Sequence, residues 1–417
     1  MSASRGRTLI LVENLSVPFD RRVWQEARSL RSAGYGVTVV CPAGRTRDRE
    51  QYEVIEGVEI HRYPLRAAEH GAVAYAREYG SALWRTAALV RRLSRTARFD
   101  VVHACNPPDV LILTAYPQRR NGAAMIFDHH DLVPELFVSR FGKTGLVQRG
   151  TFVAERVAFA AAHVVLSTNE SYRRVAIERG RKRPEDVFVV RSAPDTSRFR
   201  PAPVAEGLRN GKKYLLAYLG VMGPQDGVDH ALRALEALRA RREDWRAVFL
   251  GSGDVLDEMK ALSRALGLSD IVEFTGRVTD DDLIQTLSTA DVCLAPDPMN
   301  PLNDVSTMNK IVEYMALARP IVSYDLKESR VSAGDAALYA TPNDVQDFAR
   351  CIDDLLDSPE RRADMGKSGR KRVEDELSWS HSEQSLLAGY ERALELARSR
   401  KRRSRRDDPV VPGAVSN

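Results

Sequence analysis

Apolar runs of strand length alternate with segments of helical spacing along most of the chain. In the first half, TLILVEN (8–14), YGVTVVCP (35–42), VEIHRY (58–63), DVVHAC (100–105), AMIFDHH (124–130) and HVVLST (163–168) read as strands. Between the first two, RRVWQEARSLRSAG (21–34) sets Val23, Ala27, Leu30 and Ala33 at helical spacing and ends in glycine, a common helix stop. The strand runs are continuously apolar. That pattern belongs to a parallel sheet covered by helices on both faces.

The second half repeats the pattern. KYLLAYLG (213–220), RAVFLGSG (246–253), DIVEFTG (270–276), DVCLAP (291–296) and RPIVSYD (319–325) read as strands, with helices at 228–240 and 280–290. Residues 191–213 are rich in proline, polar and basic residues and read as the linker. The expected organisation is therefore α/β, with two Rossmann-like doubly wound domains facing a central cleft, 1–195 and 196–375. A C-terminal helix at 376–398 is expected to pack back on the first domain, and 399–417 to form a basic disordered tail. Ligands of such sheets bind outside the carboxyl ends of the strands, where the strand order reverses.

The stretch NDVSTMNKIVEYMALARPIVSYD (303–325) is the most informative. Met308, Ile311, Val312 and Met315 form an apolar stripe at helical spacing, which leaves Asn309, Lys310 and Glu313 on another face. Ser306 is the expected N-cap, with Thr307 beside it. A lysine in a first helical turn opposes the helix dipole. Either Lys310 and Glu313 are a solvated pair, or the helix start and Lys310 hold a phosphate while Glu313 takes hydroxyls on the same ligand.

Other candidates lie at strand ends. GVMGPQDG (220–227) follows a strand, and Gly220 and Gly223 permit close approach of backbone to phosphate. Asp20 reads as a helix cap, followed by Arg21 and Arg22, which are either surface groups or partners of an anionic substrate. DHHD (128–131) ends a strand. Its neighbours point to opposite faces, so the four cannot ligate one ion.

Composition narrows the class. The chain has 417 residues and a net charge of +5, with basic residues concentrated from Arg398 to Arg406. Charge confined to one terminus argues against nucleic-acid binding. It suits either an anionic membrane surface or a solubilising tail. The four cysteines are far apart, without metal-ligand spacing, and read as buried thiols of a reduced compartment. No apolar stretch is long enough to span a bilayer and the N-terminal run is too short for a signal peptide, so a cytoplasmic location is expected, peripheral on the inner membrane face if the tail binds lipid.

Over roughly residues 8–396 the chain resembles family-4 glycosyltransferases of the GT-B fold, in a bacterial polysaccharide-type branch. The resemblance rests on ENLSVPFDRRVWQEARSLRSAGYGVTVVCP, DHHDLVPELF (128–137), YLGVMGPQDGVDHAL (218–232), FTGRV (274–278) and NDVSTMNKIVEYMALARPIV, in that order. It implies a retaining, metal-independent transferase that moves a sugar from a nucleotide-diphosphate sugar to a sugar or lipid-linked hydroxyl. Glu313 would hold the ribose hydroxyls, and Ser306, Thr307 and Asn309 would lie by the diphosphate or sugar. His130 would face the donor sugar, with Asp131 orienting it or the following loop, and His103, which ends another strand, is a candidate for the acceptor side. The sequence also departs from the family. The first of its two glutamates falls on Val305, and its phosphate-binding Arg and Lys fall on Val221 and Asp226. Lys310 and Arg277 are the expected replacements. Ala318 stands where a helix-ending glycine is usual, at a cost of about 1 kcal/mol for a left-handed alanine. The alternatives are a nucleotide-sugar epimerase-like GT-B enzyme, which would need acid–base groups around the sugar, and a non-catalytic partner subunit.

Overall fold

The computed structural model describes residues 5–44, 48–65, 72–142 and 145–406. The chain forms two compact units. The first takes in the described parts of Met1–Pro134, Thr144–Val190 and Glu383–Asn417, and the second those of Glu135–Lys143 and Arg191–Ser382.

The first unit holds an eight-stranded sheet: β1 (Arg7–Leu11), β2 (Gly36–Pro42), β3 (Tyr52–Ile55), β4 (Val58–Tyr63), β5 (Val101–Cys105), β6 (Ala124–His129), β7 (Val164–Ser167) and β8 (Val187–Val189). Their order is β3-β4-β2-β1-β5-β6-β7-β8, so the chain reverses direction across the sheet between β1 and β5. Ile10 of β1 lies between Val39 of β2 and His103 of β5. Leu9, Ile10 and Leu11 are all fully buried, as a sheet covered on both faces requires. Only β3 departs from the parallel pattern, pairing antiparallel with β4. Its turn, Glu56–Gly57, takes positive φ at both residues (48° and 78°), the geometry of a two-residue hairpin. The sequence pattern misses β3 because Tyr52 and Val54 lie exposed on an edge strand.

The helix after β1 runs Arg21–Ser32. Asp20 caps it, accepting from Val23 N at 3.1 Å. Gly34, at φ 93°, ends it, and Tyr35 N donates to Leu30 O at 3.0 Å. The final helix spans Trp379–Arg406, longer than the sequence pattern suggests, and residues 407–417 of the expected tail lie outside the described residues. The first unit claims this helix from Glu383 onward. Its Tyr390 is fully buried, with the hydroxyl 3.2 Å from Thr8 Oγ1 and 2.9 Å from His103 Nδ1.

The second unit holds six parallel strands: β9 (Tyr214–Leu219), β10 (Trp245–Leu250), β11 (Val272–Gly276), β12 (Val292–Ala295), β13 (Ile321–Tyr324) and β14 (Ala337–Ala340). The order β11-β10-β9-β12-β13-β14 places the reversal between β9 and β12. The helix Val228–Arg239 buries Val228, Ala231, Leu232, Leu235 and Leu238 against this sheet, each large apolar side chain contributing about 1.5–3 kcal/mol. Asp280, Asp281 and Asp282 open a helix capped by Thr279, where acids complement the dipole. All four cysteines are buried thiols. Among the described residues, no helix is long and apolar enough to cross a membrane.

Candidate functional site

The reversal between β9 and β12 is where a parallel sheet leaves a crevice beyond its strand ends. The segments after β9, β10 and β12 meet there backbone to backbone. A Cβ added at Gly251 would lie 1.9 Å from the Gly220 carbonyl oxygen, and one at Gly227 (φ 68°) would lie 2.1 Å from that of Pro296. Only glycine permits those approaches. Asn303 adds a bond from Nδ2 to Gln225 O at 2.9 Å.

The helix Asn309–Ala316 starts at this crevice. Ile311, Val312, Tyr314 and Met315 bury its inner face. Tyr314, which the sequence reading did not single out, bolts it down: its hydroxyl donates to Leu294 O at 3.1 Å and accepts from Leu219 N at 2.7 Å. One fixed side chain thus joins the helix to the ends of β9 and β12. The helix closes on Ala318 at φ 55°, with Arg319 N donating to Tyr314 O at 3.0 Å, so the expected left-handed alanine is present.

Two expectations for this stretch are corrected. Ser306 is not the N-cap. That position is Met308, without a side-chain cap, because Ser306 Oγ donates to Leu302 O at 2.7 Å and ends the short turn Asn303–Val305. Nor does Lys310 share an exposed face with Asn309 and Glu313. It is buried, with Nζ 2.6 Å from Asp297 Oδ1 and 5.2 Å from the Tyr218 ring centroid. Gly220 leaves room for its stem, since a Cβ there would lie 3.2 Å from Lys310 Cε.

The surroundings of Lys310 are acidic. Asp297 is 2 % exposed, and its Oδ2 has no hydrogen-bond partner. Asp226 accepts from Gly223 N at 2.9 Å. Burial pushes the Asp226 carboxyl up to about 6; Lys310 opposes the rise and Asp297 adds to it. Of the remaining candidates, Asn309 is exposed, while Ser306, Thr307 and Glu313 are half-buried. Arg277, past the end of β11, is exposed and donates from Nε to Ser252 Oγ at 3.1 Å.

The first unit gathers charge at its own reversal. Arg22, expected on the surface or against a substrate anion, is buried and finds its anion inside the fold. Its Nε donates to Asp128 Oδ2 at 3.0 Å, Nη2 to Asp128 Oδ1 at 2.7 Å and Nη1 to Val190 O at 2.8 Å. Arg22 Nη2 also lies 3.3 Å from Glu26 Oε1. Arg21, its neighbour, is exposed. His103, expected on the acceptor side, is fully buried, with Nε2 3.8 Å from both Glu26 Oε2 and Asp128 Oδ2. It lies inside the sheet because β5 is a central strand.

His130 follows β6 and retains 12 % side-chain exposure. Its Nδ1 lies 3.2 Å from Asp128 Oδ2, so Asp128 rather than Asp131 is the carboxylate on the ring. Asp131 is held through its backbone instead. The unanticipated Asn106 accepts on Oδ1 from His130 N (2.9 Å) and Asp131 N (3.0 Å), and donates from Nδ2 to Asp131 O (2.7 Å). Burial alone would raise the Asp128 carboxyl, yet Arg22, the nearby His103 ring and the bond from His130 hold it well below the usual range. Burial would favour the neutral His130 ring, but the bond to Asp128 and its charge push that ring up to about 9. Burial, with Asp128 beside it, raises Glu26 to about 7.

Glu26, His103, Cys105 and Asp128 offer ligand atoms within 4.8 Å of one another. Linear spacing hides this group because three separate elements, one helix and two strands, contribute to it. Arg22 lies on both carboxylates and supplies the positive charge, and burial pushes the Cys105 thiol well above its usual range, against thiolate ligation.

Two tandem parallel sheets with buried charge at each reversal define a Rossmann-like α/β protein of the GT-B kind. The chain matches the model of the glycosyl transferase 4-like domain over residues 20–193 and that of glycosyl transferases group 1 over 200–372. It belongs to the family-4 glycosyltransferases. The MMP alpha-(1->4)-mannosyltransferase of Mycolicibacterium hassiacum is 30% identical over 214 residues, 51% of this chain and 49% of that protein. The chain spans about half the length of the first curated relatives it matches. The fold is similar to sucrose-phosphate synthase from Thermosynechococcus elongatus (TM-score 0.73, 16% identity, 97% of this chain and 100% of that one). It is also similar to Anabaena Alr3699/HepE in complex with UDP and glucose (TM-score 0.68, 15% identity, 92% and 98%).

Proposed function

We propose that the protein moves a sugar from a nucleotide-diphosphate sugar to a sugar or lipid-linked hydroxyl, with retention of configuration and without a metal ion. The observation that carries this reading is the crevice at the β9–β12 reversal, lined by glycine-dependent backbone and by a helix start without a side-chain cap. It stands in a chain whose two halves match glycosyltransferase models, and a similar fold is known with UDP and glucose. Glu313, one turn into the helix, takes the ribose hydroxyls. The helix start and Arg277 face the diphosphate, whose growing negative charge they offset. The bond from the sugar to phosphate breaks, the acceptor oxygen bonds the same carbon, and its proton passes to the departing phosphate.

Lys310 enters this reading differently from its sequence expectation. Its charge is already neutralised by Asp297, with Asp226 nearby. Its role is to tie the segment after β12 to the helix. That pairing is also the one observation favouring a partner subunit that binds no donor.

Incubation of the full chain with a panel of nucleotide sugars, reading binding, hydrolysis, transfer and isomerisation, decides. Release of nucleoside diphosphate is the expected result. No binding to any donor would remove the enzyme reading, and an epimerised sugar would replace it. The basic run 398–406 either rests on anionic lipid at the inner membrane face or serves as a solubilising tail, and vesicle binding of the chain with and without 399–417 decides between them.

A further inference from the structure

The charged cluster of the first unit has a direction. It starts fully buried at Tyr390 and His103, passes Glu26, Arg22 and Asp128, and ends at His130, whose ring is partly exposed at the carboxyl end of β6. Asp128 is clamped by two bonds of one guanidinium. A forked, bidentate pair fixes a carboxylate more firmly than a single contact does. Arg22 is itself fixed by Val190 O and by the capped start of its helix.

We propose that Asp128, clamped by Arg22, is a positioning residue that holds His130 as an imidazolium, with Nδ1–H on the carboxylate and Nε2–H presented as a hydrogen-bond donor. The identity of what His130 faces, an oxygen of the donor sugar or its phosphate, rests on the glycosyltransferase reading. The state of the ring does not.

The charges around the ring support this state. Asp128 is in direct contact, and Asp131, on the following residue, also favours the cation. Arg22 opposes it, but Arg22 is itself paired with Asp128 and Glu26. Asp20, at the helix cap, and Glu26 both sense the His130 charge. Asn106 holds the His130 and Asp131 backbone, so the residue is anchored at its main chain and at ring Nδ1. An imidazolium at neutral pH donates and does not accept a proton. It therefore stabilises charge on oxygen and cannot act as the base that an epimerase-like reaction at this histidine would need.

The test uses the full chain with nitrogen-15-labelled histidine and no ligand. The His130 signal is assigned by its loss in His130→Gln, among the eight histidines. Both ring nitrogens of His130 should be protonated at pH 7, with a midpoint near 9. In Asp128→Asn the midpoint should fall by two units or more, and Asp128→Glu should restore most of it. A wild-type ring that titrates near the ordinary value of about 6.5 overturns the proposal without any variant. An unchanged midpoint in a folded Asp128→Asn overturns it as well. Where a donor is turned over, the alkaline limb of kcat should move to lower pH in Asp128→Asn, which a merely structural loss would not produce. Absence of turnover with every donor, with the imidazolium signal intact, counts against the glycosyltransferase reading alone.

Discussion

Both sheets bury charge where their strand order reverses, but they finish the task differently. In the first unit the acid is Asp128 and the cation a forked Arg22, and together they bond to each other, to Val190 and to His130. In the second the cation is Lys310, a point charge with one close contact to Asp297. Asp297 Oδ2 is left without a partner, and the nearby Asp226 carboxyl is pushed up to about 6 by burial. A buried acid bonded by three side-chain donors is closed structure. Two acids sharing one lysine leave acceptor capacity unfilled. The first cluster thus carries stability and control of the His130 ring, and the second is a less fully satisfied tie between the segment after β12 and its helix.

The comparison breaks most directly at Arg22. Arg22→Ala should cost about 3–5 kcal/mol, because it leaves Asp128 buried and uncompensated. Denaturant unfolding measures it, and a loss below about 1 kcal/mol would refute the closed-cluster description. Lys310→Met should cost about 3 kcal/mol for the same reason, and adding Asp297→Leu should recover most of it, as expected for a buried pair replaced by apolar groups.

Asp226 gives the pH prediction. Its folded pKa lies above the unfolded value, so the folded state holds the proton more tightly, and stability falls as pH rises from about 4 to about 6. Asp226→Asn should remove that slope. It should gain about 2–3 kcal/mol over wild type at pH 7 relative to pH 4, the size of a two-unit shift. Unfolding curves of both proteins across this window test it, and parallel curves would contradict the assignment. Glu313→Ala should weaken nucleotide-sugar binding about tenfold, one lost hydrogen-bonded contact, while leaving stability near wild type. Calorimetric titration reads the first and thermal unfolding the second. The smallest expected effect is Ala318→Gly, a gain of about 1 kcal/mol from relieving a left-handed alanine.

The periodic signals were legible along the chain. Apolar runs marked eleven strands, where burial on both faces forces that pattern; the short β8 and β14 and the edge strand β3 escaped it, being brief or half-exposed. Local caps were legible too: Asp20 and Gly34 act within three or four residues of themselves, and Ala318 takes the backbone its position demands.

Partnership was not legible. Arg22 meets Asp128 across 106 positions and His103 meets Tyr390 across 287, and neither distance leaves a mark in local pattern. Lys310 was expected to reach a phosphate because helical spacing reports direction, not what stands in that direction. Here that was Asp297, thirteen positions earlier, beside a glycine that makes room. The sequence by itself determined the two tandem α/β halves, most of their strands and the helix carrying Glu313, since these follow from periodicity and local caps. Only the tertiary structure decided which charges are already satisfied, because the electrostatic state of a buried group is set by neighbours that folding brings within about 4 Å.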